Sequence, residues 1–194
     1  IQRKTSDISN VNMFLLYGEN YGLKKEIKEL IIKTEKQKDP KIELVSINEN
    51  DATENRENFY NSIYSGSLFS NKKIITINNC SDKIITQIED ISEIYPENVI
   101  LIFISDILDK KSKLRNFFEK NQKIICVACY LDNNRDLEFI ALKDLKENNI
   151  TISRESINLL IEKSNFDRNN LNNEIEKIKL YGLTKKNLDF DEVK

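Results

Sequence analysis

The segment from Gly18 to Lys25 is the feature that most constrains the fold of this chain. It follows an apolar run, Met13–Tyr17, and opens a helical pattern, which is where a phosphate-binding loop joins a strand to a helix. A working loop has the pattern G-x-x-x-x-G-K-[ST]. Here Leu23 replaces the second glycine, Lys25 replaces the hydroxyl residue, and only Lys24 matches. The sequence therefore predicts an ATPase-type scaffold whose nucleotide loop no longer works.

These substitutions remove specific parts of the loop's chemistry. The Cβ of Leu23 keeps backbone N–H groups from wrapping a phosphate, and the ammonium of Lys25 cannot supply a hydroxyl to Mg²⁺. We therefore predict that Gly18, Gly22, Leu23, Lys24 and Lys25 form a degenerate loop that binds no nucleotide. We interpret Lys24 and Lys25 as solvent-facing residues at the start of the helix.

The composition excludes several classes of function. The chain has 194 residues, a formal net charge of −2 and no histidine. This charge argues against a dedicated nucleic-acid binder, and the lack of histidine excludes catalytic triads and metal sites that need imidazole. No apolar run reaches the roughly 18 residues of a membrane span and no signal peptide is evident, so we expect a cytoplasmic protein. Because the sequence begins at Ile1 without a methionine, we expect a fragment.

The three cysteines do not suggest a secreted disulfide framework. Cys126 and Cys129 have C-x-x-C spacing but lie inside the apolar run Ile124–Tyr130. Residues at this spacing on a strand point to opposite faces of the sheet. We interpret both as buried, inert thiols, and we predict neither a metal site nor a cofactor.

Short apolar runs alternate with helical patterns through the first two thirds of the chain. The predicted strands are Val11–Tyr17, Ile42–Ile47, Lys73–Asn78, Val99–Ile104 and Ile124–Tyr130, and the predicted helices are Leu23–Gln37, Thr53–Tyr64, Asp82–Tyr95 and Lys111–Lys120. The strands are continuous apolar runs, as expected when both faces are buried. The alternation predicts an α/β fold with a five-stranded parallel sheet and flanking helices. Asp51 and Glu54 have the spacing of a capping box for the second helix.

The pattern changes after about residue 132, where three helices follow without a strand between them. They are predicted over Asp136–Asn148, Ser153–Asn165 and Asp167–Tyr181, with Ser153 and Asp167 as N-caps and Gly182 as a stop. We therefore predict an α/β domain over residues 1–132 and a small three-helix domain over residues 133–194.

Several motifs, in this order, resemble the delta subunit family of the bacterial DNA polymerase III clamp loader. They are Phe14–Glu26, Ser67–Ile75, Ile102–Leu114, Leu142–Glu147, Ile150–Ser153 and Asn170–Tyr181. The resemblance implies a P-loop or AAA+-like domain with a degenerate loop, followed by a helical lid. It also implies a third, collar domain that joins the loader subunits, and we expect that domain to be absent from this chain.

The resemblance implies a non-catalytic subunit of the polymerase holoenzyme, with no catalytic residues. Such subunits bind the ring-shaped sliding clamp, the beta subunit, and stabilise its open form for loading onto primed DNA, while other clamp-loader subunits supply ATP hydrolysis. The end of the third strand agrees, because Asn78, Asn79 and Cys80 offer no acidic group to Mg²⁺. Asp82 lies beyond them and is interpreted as the cap of the helix that follows.

The resemblance also implies a clamp contact at Ser67, Leu68 and Phe69. Clamp-binding peptides end in Leu-Phe, and here Ser65 replaces their leading glutamine. Two adjacent apolar side chains could insert into an apolar pocket of the clamp and act as binding hot spots. The alternative is that Leu68 and Phe69 complete the core before the third strand.

Lys110, Lys111, Lys113 and Arg115 form a basic cluster that we interpret as a solvated helix face. Inside an assembled loader the same cluster could make a weak contact with DNA phosphates. Two other functions stay open from the sequence. One is a divergent P-loop NTPase or kinase, and the other is an AAA+-derived adaptor in which Leu68 and Phe69 belong to the core.

Overall fold

Five parallel strands form one sheet in the order β2-β3-β4-β1-β5. The computed structural model describes residues 11–66 and 72–194. The strands are β1 (Met13–Tyr17), β2 (Glu43–Asn48), β3 (Lys73–Asn78), β4 (Val99–Ser105) and β5 (Ile125–Ala128). Strands β1, β3 and β4 are almost wholly buried, and they carry the most continuous apolar runs. The predicted five-stranded parallel sheet is therefore confirmed.

The two edge strands depart from the prediction of burial on both faces. Residues along β2 alternate between half-buried and exposed, with Leu44 exposed, and every residue of β5 is half-buried. Within the described part of the chain, each edge strand has one hydrogen-bonded neighbour, so less of its surface is covered. An apolar run identifies a strand but does not give its position in the sheet.

A helical segment follows each of the five strands along the chain, and the described residues contain more helical segments than the sequence predicts. They are α1 (Tyr21–Lys38), α2 (Glu49–Glu54), α3 (Arg56–Tyr64), a 3₁₀ turn (Asp82–Ile84), α4 (Ile85–Glu93), α5 (Lys113–Lys120), α6 (Asn134–Glu147), α7 (Arg154–Lys163), α8 (Arg168–Tyr181) and α9 (Phe190–Val193). None of the helices in the described ranges is long and apolar enough to cross a bilayer.

The prediction of a single second helix over Thr53–Tyr64 is wrong, because residues 49–64 form two helices with a break at Asn55. The backbone of Asn55 leaves the helical region, with φ −117° and ψ 66°, and its side chain accepts a hydrogen bond from the backbone N–H of Asn58. Asp51 lies inside α2 and therefore does not cap the second helix. A capping-box spacing occurs here within a helix rather than at its start.

The described chain divides into two compact units. The first contains the described residues up to Glu19 together with Glu26–Cys129, and the second contains Asn20–Lys25 and Tyr130–Lys194. In the first unit, both faces of β1, β3 and β4 are covered; its core cluster includes Leu15, Phe59, Ile75, Ile88, Leu101, Phe103 and Phe118. In the second, α6, α7 and α8 bury a separate apolar core that includes Leu137, Leu145, Leu160, Leu171 and Ile175. Whether residues 1–132 and 133–194 fold as independent domains stays a prediction.

The helices of the second unit begin where short side chains bond to the first backbone N–H groups. Ser153 caps α7 and Asp167 caps α8, as the sequence predicts. Asn133 caps α6 in a reciprocal capping box with Asp136, so this helix starts two residues before its predicted start. At the end of α8, a Cβ on Gly182 would lie 2.5 Å from Ile150 Cδ1, so packing favours glycine there.

Candidate functional site

Gly18 is the first residue of the degenerate loop, and its backbone needs glycine for reasons unrelated to phosphate. Its φ is 126°, and a Cβ would lie 2.3 Å from the carbonyl oxygen of Cys129. Its N–H donates to the carbonyl oxygen of Asp106 at 3.1 Å. This donor is therefore engaged within the protein rather than directed to a ligand.

Asn20 organises the start of α1. Its Oδ1 accepts from the backbone N–H of Leu23 at 2.9 Å, and its carbonyl oxygen accepts from the N–H of Lys24 at 3.1 Å. Its Nδ2 donates to Asp132 Oδ2 at 2.7 Å and to the carbonyl oxygen of Tyr130 at 3.0 Å. Two backbone donors in the first turn of α1 thus bond to Asn20. Asn20 was not among the predicted site residues, although an Asn before a helix is a recognisable cap signal.

Gly22 lies against the start of α8, within the second unit. A Cβ on Gly22 would lie 2.7 Å from the backbone nitrogen of Asn169 and 3.0 Å from Arg168 Cβ. Nη1 of Arg168 is 3.5 Å from Asp132 Oδ1 in an ion pair. Close packing of two helix ends therefore accounts for the glycine at position 22.

The prediction that Lys24 faces solvent is wrong, because this residue is only 4% exposed. Lys25 is exposed, as predicted. The first turn of α1 belongs to the same compact unit as α6, α7 and α8. Lys24 is buried in this unit, although its residue type suggests exposure.

The carboxyl end of β3 lacks the acidic pair of an active ATPase. Asn78 Nδ2 donates to Ser46 Oγ at 2.9 Å, and Asn79 adopts a left-handed conformation with φ 58°. A buried carboxylate does lie nearby, since Glu49 accepts from the N–H of Ser81 at 2.6 Å and from its Oγ at 2.8 Å. Glu49 thus binds a protein turn, and it was not among the predicted site residues.

Asp82 caps a different helix from the one predicted. Its carboxylate accepts from Ser112 Oγ at 2.6 Å and from the backbone N–H groups of Lys113 and Leu114 at 3.0 Å each, at the start of α5. Burial raises the pKa of Asp82, but these hydrogen bonds outweigh burial and hold the pKa below its ordinary value. The turn that follows β3 is capped by Ser81 instead.

The cysteines carry no sign of a reactive or metal-binding pair. Cys129 is buried and Cys126 is half-buried, and both are free thiols. Burial, with a smaller effect from Glu119, raises the pKa of Cys126 to about 12. Over residues 11–66 and 72–194, no cluster of His, Cys, Asp and Glu could hold a metal ion.

The basic cluster separates into two kinds of residue. Lys110, Lys111 and Lys113 are exposed, as predicted. Arg115 is not part of a solvated face, because its Nε bonds to Glu119 Oε1 at 2.8 Å and its guanidinium lies 5.1 Å from the centre of the Tyr17 ring. An arginine stem can cover apolar surface in this way, so the cluster is smaller than predicted.

The predicted clamp contact, Ser67–Phe69, lies outside the described residues. On its N-terminal side, α3 ends at Tyr64, whose hydroxyl donates to the carbonyl oxygen of Ile94 at 3.1 Å. On its C-terminal side, Lys73 is buried, and its Nζ donates to the carbonyl oxygens of Ser62 and Ser65 at 2.8 Å each. One ammonium group therefore joins the end of α3 to the start of β3.

Solved structures share this fold at low sequence identity. The DNA clamp loader delta protein of Bacillus subtilis matches with a TM-score of 0.64 and 12% identity, over 94% of this chain and 57% of that one. Domain III of the Thermotoga maritima replication initiation protein DnaA matches with a TM-score of 0.51 and 15% identity, over 94% and 82%. A Thermotoga maritima RuvB structure matches with a TM-score of 0.57 and 12% identity, over 95% and 60%. The fold is AAA+-like.

Sequence comparison identifies the family. A curated protein of Rickettsia prowazekii (strain Madrid E), described as a probable DNA polymerase III subunit delta, is 29% identical over 156 residues. This match covers 77% of the chain and 44% of that protein, so the chain spans less than half of this relative's length. The family model described as DNA polymerase III, delta subunit, matches residues 14–130, which is more than half of the chain. The chain thus belongs to the DNA polymerase III delta subunit family.

Proposed function

We propose that this chain is the clamp-binding part of a clamp-loader delta subunit and that it has no catalytic activity of its own. It binds the sliding clamp, the beta subunit, and stabilises the open ring for loading onto primed DNA. The match of the delta family to residues 14–130 carries this proposal, because it covers the α/β region and includes the predicted clamp contact. Sister clamp-loader subunits are the second class of partner.

Ser67, Leu68 and Phe69 are the proposed contact with the clamp. The described residues on the two sides of this segment are joined, because buried Lys73 bonds to carbonyl oxygens at the end of α3. Each apolar anchor that enters a pocket of the clamp contributes roughly 1.5–3 kcal/mol.

The lack of nucleotide binding is the second part of the proposal. Three backbone donors of the loop have partners within the protein: those of Gly18, Leu23 and Lys24. The loop also lacks the hydroxyl that would bind Mg²⁺, and β3 ends in two asparagines. These features do not favour the alternative of a divergent NTPase or kinase. Calorimetry with Mg-ATP should give no saturable heat, and micromolar binding would refute this part.

Clamp binding is tested by measuring affinity and stability on the same variants. Leu68→Ala and Phe69→Ala should each weaken binding of the purified clamp by about 5- to 150-fold, which is roughly 1–3 kcal/mol. Their melting temperatures should stay close to that of the parent protein, because an anchor that is exposed before binding contributes little to folding. Surface plasmon resonance and thermal denaturation give the two quantities.

Leu44→Ala is the matched control, since Leu44 is an exposed apolar residue on β2. It should change neither clamp affinity nor melting temperature. If Phe69→Ala binds the clamp normally but melts far lower, Phe69 is a core residue and the contact is wrongly assigned. In that case the cost of truncation should be about 3–5 kcal/mol of unfolding free energy.

A further inference from the structure

The carboxylate of Asp132 lies where two donors at the start of α1 and α8 converge. Asn20 Nδ2 donates to Asp132 Oδ2 at 2.7 Å, and Arg168 Nη1 is 3.5 Å from Asp132 Oδ1. The side chains of Arg168 and Asp132 are only 12% and 11% exposed, and Asn20 is 3% exposed as a whole. All three belong to the same compact unit.

These donors have the chemistry that recognises a phosphate. A guanidinium and an amide N–H are each favourable partners of an oxyanion. Asp132 Oδ2 accepts from Asn20 and Oδ1 forms the ion pair with Arg168, so the anion at this position is part of the chain.

The packing around this carboxylate depends on glycine at position 22. The stem of Arg168 lies so close to Gly22 that an added Cβ would be 3.0 Å from Arg168 Cβ and 3.1 Å from Arg168 Cγ. Asn20 in turn accepts from the N–H of Leu23, which connects the carboxylate to the first turn of α1. The first turn of α1, Asp132 and Arg168 therefore form one connected network within this unit.

The geometry points to Asp132 as a built-in anion that occupies a phosphate-like position and holds the degenerate loop in one conformation without nucleotide. This inference rests on the proposed loss of nucleotide binding. It adds to that proposal a reason why the loop stays ordered: an internal carboxylate supplies the negative charge that a bound phosphate supplies in a working loop.

Removal of the carboxylate should uncover a weak oxyanion site. Asp132→Ala in the full chain should lower the melting temperature by roughly 4–10 °C, because the ion pair between Arg168 and this largely buried carboxylate is lost. Inorganic pyrophosphate in about tenfold excess over its Kd should then restore about 3–6 °C, relative to NaCl at matched ionic strength. The parent protein should gain no more from pyrophosphate than from NaCl.

Two further variants test whether the effects come from an empty anion position or from a general loss of structure. Asp132→Asn keeps the volume and an acceptor for Asn20, so it should melt below the parent protein and show no rescue by pyrophosphate. Glu138→Ala is the control, because it removes an ion pair of 3.2 Å with Arg154 in the same unit, and the side chain of Arg154 is 80% exposed. This variant should change the melting temperature little. If Asp132→Ala does not fold, Asp132→Ser takes its place with the same expectations.

Two results would overturn the inference. One is an Asp132→Ala protein that melts with the parent, since the carboxylate would then hold nothing in place. The other is a destabilised variant that pyrophosphate stabilises no better than NaCl, because no oxyanion position would have been uncovered. Failure of clamp binding by the parent protein would contradict the proposed function but leave this inference standing, and saturable Mg-ATP binding would contradict both.

Discussion

Asp82→Ala should destabilise the protein by removing a carboxylate that supplements the N-cap of α5, Ser112. Three hydrogen bonds end on this carboxylate, from Ser112 Oγ and from the N–H groups of Lys113 and Leu114. Removal of an N-terminal cap costs about 0.5–2 kcal/mol, and Asp82 accepts more bonds than a single cap does. Because the carboxylate itself is exposed, solvent screens part of this gain. We therefore expect a loss of about 1–2 kcal/mol, or roughly 2–8 °C in melting temperature.

The cost of Asp82→Ala should depend on pH in a defined direction. The pKa of Asp82 is lowered in the folded protein, so its charged form stabilises the fold above the unfolded pKa of about 4. This contribution is lost as the pH falls through the lower, folded pKa. The difference between parent and variant should be full at pH 7 and should shrink as the pH falls below about 4.

Thermal denaturation of both proteins over a pH series measures this difference directly. Asp51→Ala is the matched control, because Asp51 also has capping-box spacing in the sequence but lies inside α2. It should cost less than about 0.5 kcal/mol. An equal loss in the two variants, or a difference for Asp82→Ala that does not change with pH, would refute the reasoning.

Three other perturbations test the packing around the loop, α3 and β5. Lys73→Met should cost about 2–3 kcal/mol in urea denaturation, since two carbonyls at the end of α3 lose a charged donor; a cost below about 0.5 kcal/mol would contradict this. Burial raises the pKa of Cys126 to about 12. This thiol should therefore react with iodoacetamide near pH 8 more than about 100-fold more slowly than a free cysteine, as followed by mass spectrometry. Equal rates would be inconsistent with burial. Gly22→Ala should lower stability by about 1–3 kcal/mol because its Cβ meets a backbone nitrogen at 2.7 Å. Gly66→Ala should not, because no atom of the described residues lies within 4 Å of its Cβ, and equal melting of the two variants would argue against the close contact.

Local patterns in the sequence determined much of the secondary structure in both units. The third strand has its predicted bounds, Lys73–Asn78, because a continuous apolar run between turn residues is a short-range signal. Ser153 and Asp167 cap their helices as predicted, since a cap bonds only two or three residues along the chain. The alternation of strands and helices was enough to predict a parallel sheet, and the ordered motifs were enough to identify the family.

Only the tertiary structure decided what the loop residues and their neighbours contact. Asn20 bonds to Asp132, which is 112 positions away, and Asp82 bonds to Ser112, which is 30 positions away. Lys24 is buried and Gly22 lies against α8, although the residue types alone suggested an exposed loop. A side chain that bonds across such distances has the same local signature as one that bonds to its own helix or to water. The partner is set by where the fold brings the two segments together, and no spacing within either segment records it.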